Sequence, residues 1–359
     1  TGTMKTLHEL KERLAQFPKT SLIHSPTPLQ QIERPPGLPV GVDLLVKRDD
    51  LTGLAFGGNK GRKLEYIVAD AVAQGADTIV TWGGVQSNWC LQTAAAASRV
   101  GIRSAIVLLQ KPGASAEGDG NILLDHLCGA TVRVVEVDPD RGMLHLDDVA
   151  DLVGPLMDQE KAAGRRPYLA PIGGSAVEAS MKKPFGAMGY ADALVELLEQ
   201  TEARGLRCDT VVHAGGSAGT QAGLVAAAKV VAPHLRIVGI SVTIDRDTMR
   251  HQVGTIAAQL LETLAIDAEI EDNDVIVFDE YLDPGYAVLT PEISRGIATL
   301  ARSEGIVLDP VYTGKAWLGL LDLIENRFIA DDENVVFIHT GGTAALFPYR
   351  EQIMGDLGR

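Results

Sequence analysis

The sequence predicts an α/β fold built on mostly parallel sheets. Short, β-rich apolar runs recur along the chain, and amphipathic helical stretches alternate with them. Several of the runs end directly in a glycine-rich turn. Strands that read as continuous apolar runs belong to sheets covered on both faces, and strand–helix alternation is the pattern of α/β domains.

Taken in order, GRKLEYIVADAVAQG from Gly61 reads as a helix, with Leu64, Ile67, Val68 and Val72 on one face. Asp77–Gly84 (DTIVTWGG) reads as a strand and Gln92–Gly101 (QTAAAASRVG) as the helix that follows it. Further strands are expected at Ser104–Leu109, Thr131–Val137, Thr210–Gly216, Arg236–Val242 and Asn334–Gly342. Thr243–Asp274 is mostly helical in pattern, whereas Pro112–Gly120 and Gly173–Phe185 read as loops. The second of these loops exceeds the usual connection of about 2–6 residues. In open α/β sheets ligands sit beyond the carboxyl ends of strands. The loops Gly83–Asn88, Ala214–Thr220 and Thr340–Thr343 all follow strands and are expected to wall one site.

Composition narrows the function. A chain of 359 residues suggests two domains. A net charge of −15 argues against a nucleic-acid partner or an anionic membrane surface, and leaves room for a small anionic substrate in a local basic pocket. Cys90, Cys128 and Cys208 are sparse and widely spaced, which gives neither a disulfide framework nor a metal motif. No apolar run approaches the roughly 20 residues that span a bilayer, and no apolar signal core opens the chain. The expectation is a cytoplasmic enzyme without a metal.

Two stretches carry the most chemistry. GGNKGRK (Gly57–Lys63) sets Lys60 at a helix start beside Arg62 and Lys63. The positive helix end and the neighbouring cations disfavour the ammonium form of Lys60, and a neutral lysine amine can condense with an aldehyde. The same spacing also accommodates a solvated lysine cluster. HAGGSAGTQAG (His213–Gly223) is a strand–turn–helix whose glycines, Ser217 and Thr220 suit a phosphate cradle. A plain tight turn or a dinucleotide turn competes with that reading, although G-x-G-x-x-G is absent. An aldehyde and a phosphate together describe pyridoxal 5′-phosphate.

The remaining candidates are less specific. Ser87 and Asn88 in GGVQSN suit a helix cap or a substrate carboxylate. Tyr286 and Tyr312 lie on loops, where a phenol acts as an acid or simply packs. His213 and His339 each close a strand and read as core or supporting residues, and Lys47, Arg48, Asp49 and Asp50 read as a local salt bridge.

KRDDLTGLAFGGNKGRKLEYI, GGVQSN, GNILLDHLCGA, HAGGSAGTQAGL, DPVYTGKA and VFIHTGGTAALF, in this order, resemble the D-cysteine desulfhydrase, L-cysteate sulfo-lyase and 1-aminocyclopropane-1-carboxylate (ACC) deaminase family. The resemblance runs from about Pro28 to Tyr349. It implies the pyridoxal-phosphate fold type II, with two open, twisted, mostly parallel α/β domains and the cofactor in the cleft between them. The domains would be residues 1–63 with 187–359, and an inserted 64–186. It also implies a homodimer acting on a small amino acid.

By the same resemblance Lys60 is the Schiff-base lysine and removes the Cα proton. Ala214, Gly215, Gly216, Ser217, Ala218, Gly219 and Thr220 form the phosphate loop, and Asn88 lies near the cofactor's 3′-oxygen. Ser87 matches the residue near the substrate carboxylate, and Gln86, Asn88 and Trp89 join it as candidate substrate contacts of this chain. Tyr286 and Tyr312 match two active-site tyrosines, and Thr340 faces the pyridine nitrogen. The implied reaction is β-elimination of a sulfur group from D-cysteine or L-cysteate to pyruvate and ammonia; racemisation is the alternative, with Ser87 as the second acid–base.

Three departures bear on substrate. Thr313 stands where ACC deaminases carry glutamate, which weakens a ring-opening reading. Trp89 replaces a usual His or Gln and is expected to narrow the pocket if it points inward. Lys182 and Lys183, in the long loop, would either meet an anionic sulfonate or form a solvated surface pair.

Overall fold

The computed structural model describes the backbone of residues 2–33, 42–112, 114 and 118–359, and side chains from residue 6 onward. Residues 113 and 115–117 of the loop expected at Pro112–Gly120 lie outside these. In chain order the elements are α1 (Gly2–Leu14), β1 (Leu29–Gln31), β2 (Asp43–Lys47), α2 (Lys60–Ala73), β3 (Thr78–Gly84), α3 (Asn88–Val100) and β4 (Arg103–Gln110). Next come α4 (Asn121–Leu127), β5 (Thr131–Glu136), α5 (Leu146–Ala162), β6 (Pro167–Leu169), α6 (Phe185–Ala203), β7 (Thr210–Gly215) and α7 (Gly219–Val231). The chain closes with β8 (Arg236–Ser241), α8 (Arg246–Thr263), β9 (Ile276–Phe278), α9 (Pro291–Glu304), α10 (Thr313–Glu325), β10 (Asn334–Ile338) and α11 (Arg350–Asp356).

They form two sheets. The larger has the order β1-β2-β10-β7-β8-β9, antiparallel only at β1–β2; the smaller has the order β5-β4-β3-β6 and is parallel throughout. Side chains alternate between faces, as strand geometry requires, and both faces find apolar cover. In the larger sheet Val211, Ile237 and Val336 enter one core, with α6, α7 and α8, while Val212, Val238 and Phe337 enter a second core against α9 and α10. In the smaller sheet Ile79 and Ile106 join the first core, while Val80, Ala105 and Val107 pack on α5. Helix α7 is apolar on nearly every side because it lies between its sheet and α6. Gly223 permits that approach: a Cβ there would come within 2.2 Å of the Ala187 carbonyl oxygen.

The six expected strands are present, and the strands the periodicity did not mark are β1, β2, β6 and β9. Three of these are only three residues long, too short to display a period. The fourth, β2 (DLLVK), runs straight into the charged Lys47–Asp50 stretch. That stretch is more than a local salt bridge. Arg48 does pair locally with Asp50, at 2.7 Å, but Lys47 and Asp49 are buried and reach across the fold. Arg62 bonds Asp49 through Nε and Nη2, at 2.9 and 2.8 Å, and Glu196 at 2.9 Å, while Tyr190 donates to Asp49 at 2.7 Å. Lys47 donates to Glu196 at 2.5 Å. This network clamps the first turn of α2 to α6.

Candidate active site

The carboxyl ends of β3, β7 and β10 open onto one cavity of about 360 Å³. The three strand-end loops line it together, through Gly84, Ser87, Asn88 and Trp89, through Ala214, Gly216, Ser217 and Thr220, and through Thr340, Gly341 and Gly342. Lys60 and Asn59 enter from the start of α2, and Tyr286 and Tyr312 also line the cavity. The segment Asp140–His145, with Gln252 of α8, borders the rest.

Lys60 is no solvated surface lysine. Burial lowers its pKa to about 8, with the neighbouring Lys63 amine opposing. Lys63, one helical turn on, is fully buried, and burial followed by the charge of Lys60 pushes its pKa well below the usual lysine value. Lys63 donates to the Gly173 carbonyl at 3.0 Å, and among the described residues no carboxylate pairs with either lysine. Burial and their mutual repulsion hold both amines toward the neutral form, and with no protein counter-anion beside them a bound anion would favour their charged forms.

The glycine-rich turn supplies the complementary end. It connects β7 to the N-terminus of α7, a 13-residue helix whose dipole favours negative charge. Ser175 donates to Ser217 at 2.8 Å and accepts from the Gly219 N–H at 3.1 Å, and the Asn59 amide donates to Thr220 at 3.1 Å. Ala214, Gly216, Ser217 and Thr220 face the cavity. Gly215 lies behind, paired in the sheet with Ser241, and Ala218 and Gly219 also lie outside the cavity wall. His213 is buried and neutral: burial lowers its pKa to about 4, and its Nδ1 meets the Ala214 carbonyl at 2.9 Å.

At the start of α3, Ser87 Oγ caps the helix by accepting from the Cys90 N–H at 3.2 Å while also lining the cavity, so the two sequence readings of Ser87 are compatible. Trp89 points inward; its indole donates to Thr81 at 2.7 Å, and its ring packs at Gly174, where a Cβ would sit 3.1 Å from it. Gln86 does not face the cavity. Its amide donates to the Asp119 carbonyl at 3.1 Å and accepts from the Asn121 N–H at 2.9 Å, so the turn directs it to α4. Lys182 and Lys183 are both exposed and outside the cavity: Lys182 bonds the Ala179 carbonyl and Lys183 lies 5.1 Å over the Phe17 ring, which makes them a surface pair.

Two missing side chains make room for the phenols. A Cβ at Gly84 would lie 3.2 Å from the Tyr286 ring, and one at Gly216 would lie 2.7 Å from that of Tyr312. The two hydroxyls meet at 2.5 Å with their rings edge to face. Burial raises the Tyr286 pKa to about 12 and pushes Tyr312 well above the usual phenol value, so both are protonated at neutral pH. Whichever phenol accepts the shared bond keeps its own O–H for an acceptor in the cavity.

Gly58 sets the backbone before Lys60. Its φ is +137°, and a Cβ would fall 2.5 Å from Asn88 Nδ2 and 2.7 Å from Gln92 Nε2. Gly58→Ala should cost about 1–3 kcal/mol through strain and overpacking. It should also displace Asn88 at the cavity wall, and a lower denaturation midpoint would register the change.

Sequence reasoning noticed Lys63 only as a neighbour of Lys60 and missed Asn59 and Ser175. The three-residue spacing of Lys60 and Lys63 on a helix, which puts them on one face, was the available signal for Lys63. Ser175 sits in a loop with no local signal of its own.

The family model described as "Pyridoxal-phosphate dependent enzyme" matches residues 20–341. A curated D-cysteine desulfhydrase of Yersinia enterocolitica serotype O:8 / biotype 1B is 40% identical over 348 residues, covering 96% of this chain and 99% of that protein. One from Serratia proteamaculans (strain 568) is 39% identical over the same length and coverage. Among solved structures, one described as an ACC deaminase homologue superposes with a TM-score of 0.84 at 34% identity, covering 97% of this chain and 99% of that one. Threonine deaminase isoform 2 from Solanum lycopersicum shares the fold, with a TM-score of 0.63 at 15% identity over 98% of this chain and 88% of that one.

Proposed function

The chain belongs to the pyridoxal-phosphate-dependent enzyme family, and from that premise we propose that it is a carbon–sulfur lyase that eliminates the thiol of D-cysteine to give pyruvate, ammonia and sulfide. Pyridoxal phosphate, when bound, supplies an aldehyde for amine chemistry and a ring that stabilises negative charge at the substrate Cα. The Lys60 amine, free of any carboxylate partner among the described residues, and the helix N-terminus that follows Ser217 fit its aldehyde and phosphate. In this reading Lys60 holds the cofactor, Gly216, Ser217 and Thr220 hold the phosphate, Asn88 lies by the ring hydroxyl and Thr340 by the ring nitrogen. Threonine carries no formal charge, so it leaves that nitrogen largely unprotonated.

The substrate carboxylate lies at the start of α3, against Ser87 and Asn88. With the amine of Lys60 neutral, it accepts the Cα proton. The tyrosine pair then delivers a proton to the departing sulfur, and Trp89 keeps water out. The observation that carries this reading is the hydrogen-bonded, half-buried Tyr286–Tyr312 pair lining the same cavity as Lys60. The relatives' names favour D-cysteine. The L-cysteate reading loses its lysine pair to the surface. Position 313 holds a threonine in place of the glutamate that ring opening would use, and its hydroxyl donates to Asp309 Oδ1 at 2.6 Å.

Cofactor-loaded protein should release pyruvate and sulfide from D-cysteine; L-cysteine accumulating without keto acid would instead identify a racemase. Tyr286→Phe should lower kcat for D-cysteine by about 10²–10⁴-fold. With chloride at Cβ, a leaving group that needs no proton, the same variant should turn over almost normally. An equal deficit on both substrates would remove the acid role from Tyr286.

Both domain boundaries, 63/64 and 186/187, fall inside helices, α2 and α6. We place the first junction at the end of α2 instead, because Tyr66 of α2 donates to Asp192 of α6 at 2.6 Å. The reading also includes a cytoplasmic homodimer. Among the described residues no helix is long and apolar enough to cross a membrane. Sedimentation velocity checks the homodimer.

A further inference from the structure

Lys315 lies in the first turn of α10, three residues after Tyr312, and is only 1% exposed. A lysine there is costly twice over: it is buried, and its charge sits at the positive end of a helix. Among the described residues no carboxylate forms an ion pair with it, although Asp283 lies near enough to favour its charge. Its Nζ is spent on two backbone carbonyls instead, those of Tyr281 and Gly285, each at 3.0 Å. These two carbonyls bracket the segment that leads into Tyr286.

The helix that carries Lys315 also carries Tyr312 at its N-terminal boundary, and that start is itself fixed. Asp309 accepts from the N–H groups of Val311, Tyr312 and Thr313 at 2.8–2.9 Å. On the other side of Tyr286, Tyr349 donates to the Ala287 carbonyl at 2.6 Å. One rigid helix therefore presents one phenol directly and holds the loop of the other through a single ammonium group. We propose that Lys315 is a positioning residue for the elimination, clamping the Tyr281–Gly285 backbone so that the Tyr286 hydroxyl meets that of Tyr312. The inference rests on the reading above, in which the tyrosine pair protonates the leaving sulfur.

The test is a double-mutant cycle in the full-length, cofactor-loaded protein with Lys315→Met, Tyr286→Phe and the pair. Lys315→Met should lower kcat for D-cysteine by about tenfold to a hundredfold, the cost of misplacing a reacting group by about an ångström, with KM within twofold. In the Tyr286→Phe background the same change should cost nothing further, because the hydroxyl it positions is already gone. An additive loss would overturn the proposal.

Hydrogen exchange provides a readout free of substrate. The amides of Leu282 and Val288, which bond Asp279 and Gly285 within the loop, should exchange faster in Lys315→Met while those of α10 are unchanged. Unchanged loop exchange, or acceleration throughout α10, would overturn the clamp. Should Lys315→Met fail to fold, Lys315→Gln, which keeps a donor of one shorter reach, enters the same cycle. If the wild type itself proves inactive on D-cysteine, the function reading fails while the exchange result still decides whether the clamp exists.

Discussion

Lys60→Ala should abolish keto-acid release from D-cysteine, with a loss of at least about 10³-fold, the scale of one positioned acid–base group. The loss should be larger than for any other single change in the cavity, because this amine is assigned two tasks: it holds the cofactor and takes the Cα proton. The variant should still fold, since among the described residues Lys60 makes no ion pair that its removal would break. Borohydride treatment followed by mass spectrometry should fix cofactor mass to residue 60 in the wild type and to no lysine in the variant. Normal turnover by Lys60→Ala would sink the mechanism. Burial also gives the reaction a pH signature. With its pKa lowered to about 8, the Lys60 amine of cofactor-free protein becomes neutral as pH rises through that value. The rate at which it captures an aldehyde should therefore climb with pH and level off above it.

Asp49→Ala should be the most damaging substitution away from the cavity wall, with a stability loss of about 3–5 kcal/mol. Asp49 is fully buried and accepts from Arg62, Tyr190 and Thr27. Removing it leaves the guanidinium of Arg62 buried with Glu196 as its remaining carboxylate partner, and breaking one side of a buried network costs more than the network contributes. A fall in the urea midpoint would register it. The consequence reaches the site because Arg62 lies two residues beyond Lys60 in the same helical turn.

The pH sign follows from the two carboxylates. Burial alone would raise the pKa of Asp49, but Arg62 and then Lys47 outweigh it and hold Asp49 below its ordinary value; Arg62 and Lys47 likewise outweigh burial at Glu196. Their folded-state values therefore lie below their unfolded ones. The stability they contribute is present above the ordinary carboxylate range and is lost as pH falls through the depressed values. Acid unfolding in Asp49→Asn should accordingly show a weaker pH dependence than in the wild type.

Much of this was legible in the chain itself. Lys60 after two glycines, the Ala214–Thr220 turn, Ser87 and Asn88 after a strand, and Thr340 at the end of β10 are all local statements. Each rests on a few neighbouring residues and the elements they begin or end. Strand periodicity then placed their loops at the carboxyl ends of parallel strands, but β3 belongs to one sheet and β7 and β10 to the other, so only the packing of the two sheets brought these loops onto one cavity. The limits were equally physical. A tight turn leaves side-chain direction open, so only the tertiary structure could direct Gln86 to α4 and Trp89 inward. The long loop placed Lys182 and Lys183 nowhere in particular until its contacts carried them to the surface.

What only the folded chain decided are the long-range pairings. Asp49 with Arg62 and Glu196, Ser175 with Ser217, Tyr286 with Tyr312, and Lys315 with the Tyr281 and Gly285 carbonyls join segments that lie far apart in sequence. A residue's type records which bonds it can make. Which of them it does make depends on what packing brings within about 3 Å, and on the energetic need of every buried polar group to find a partner there.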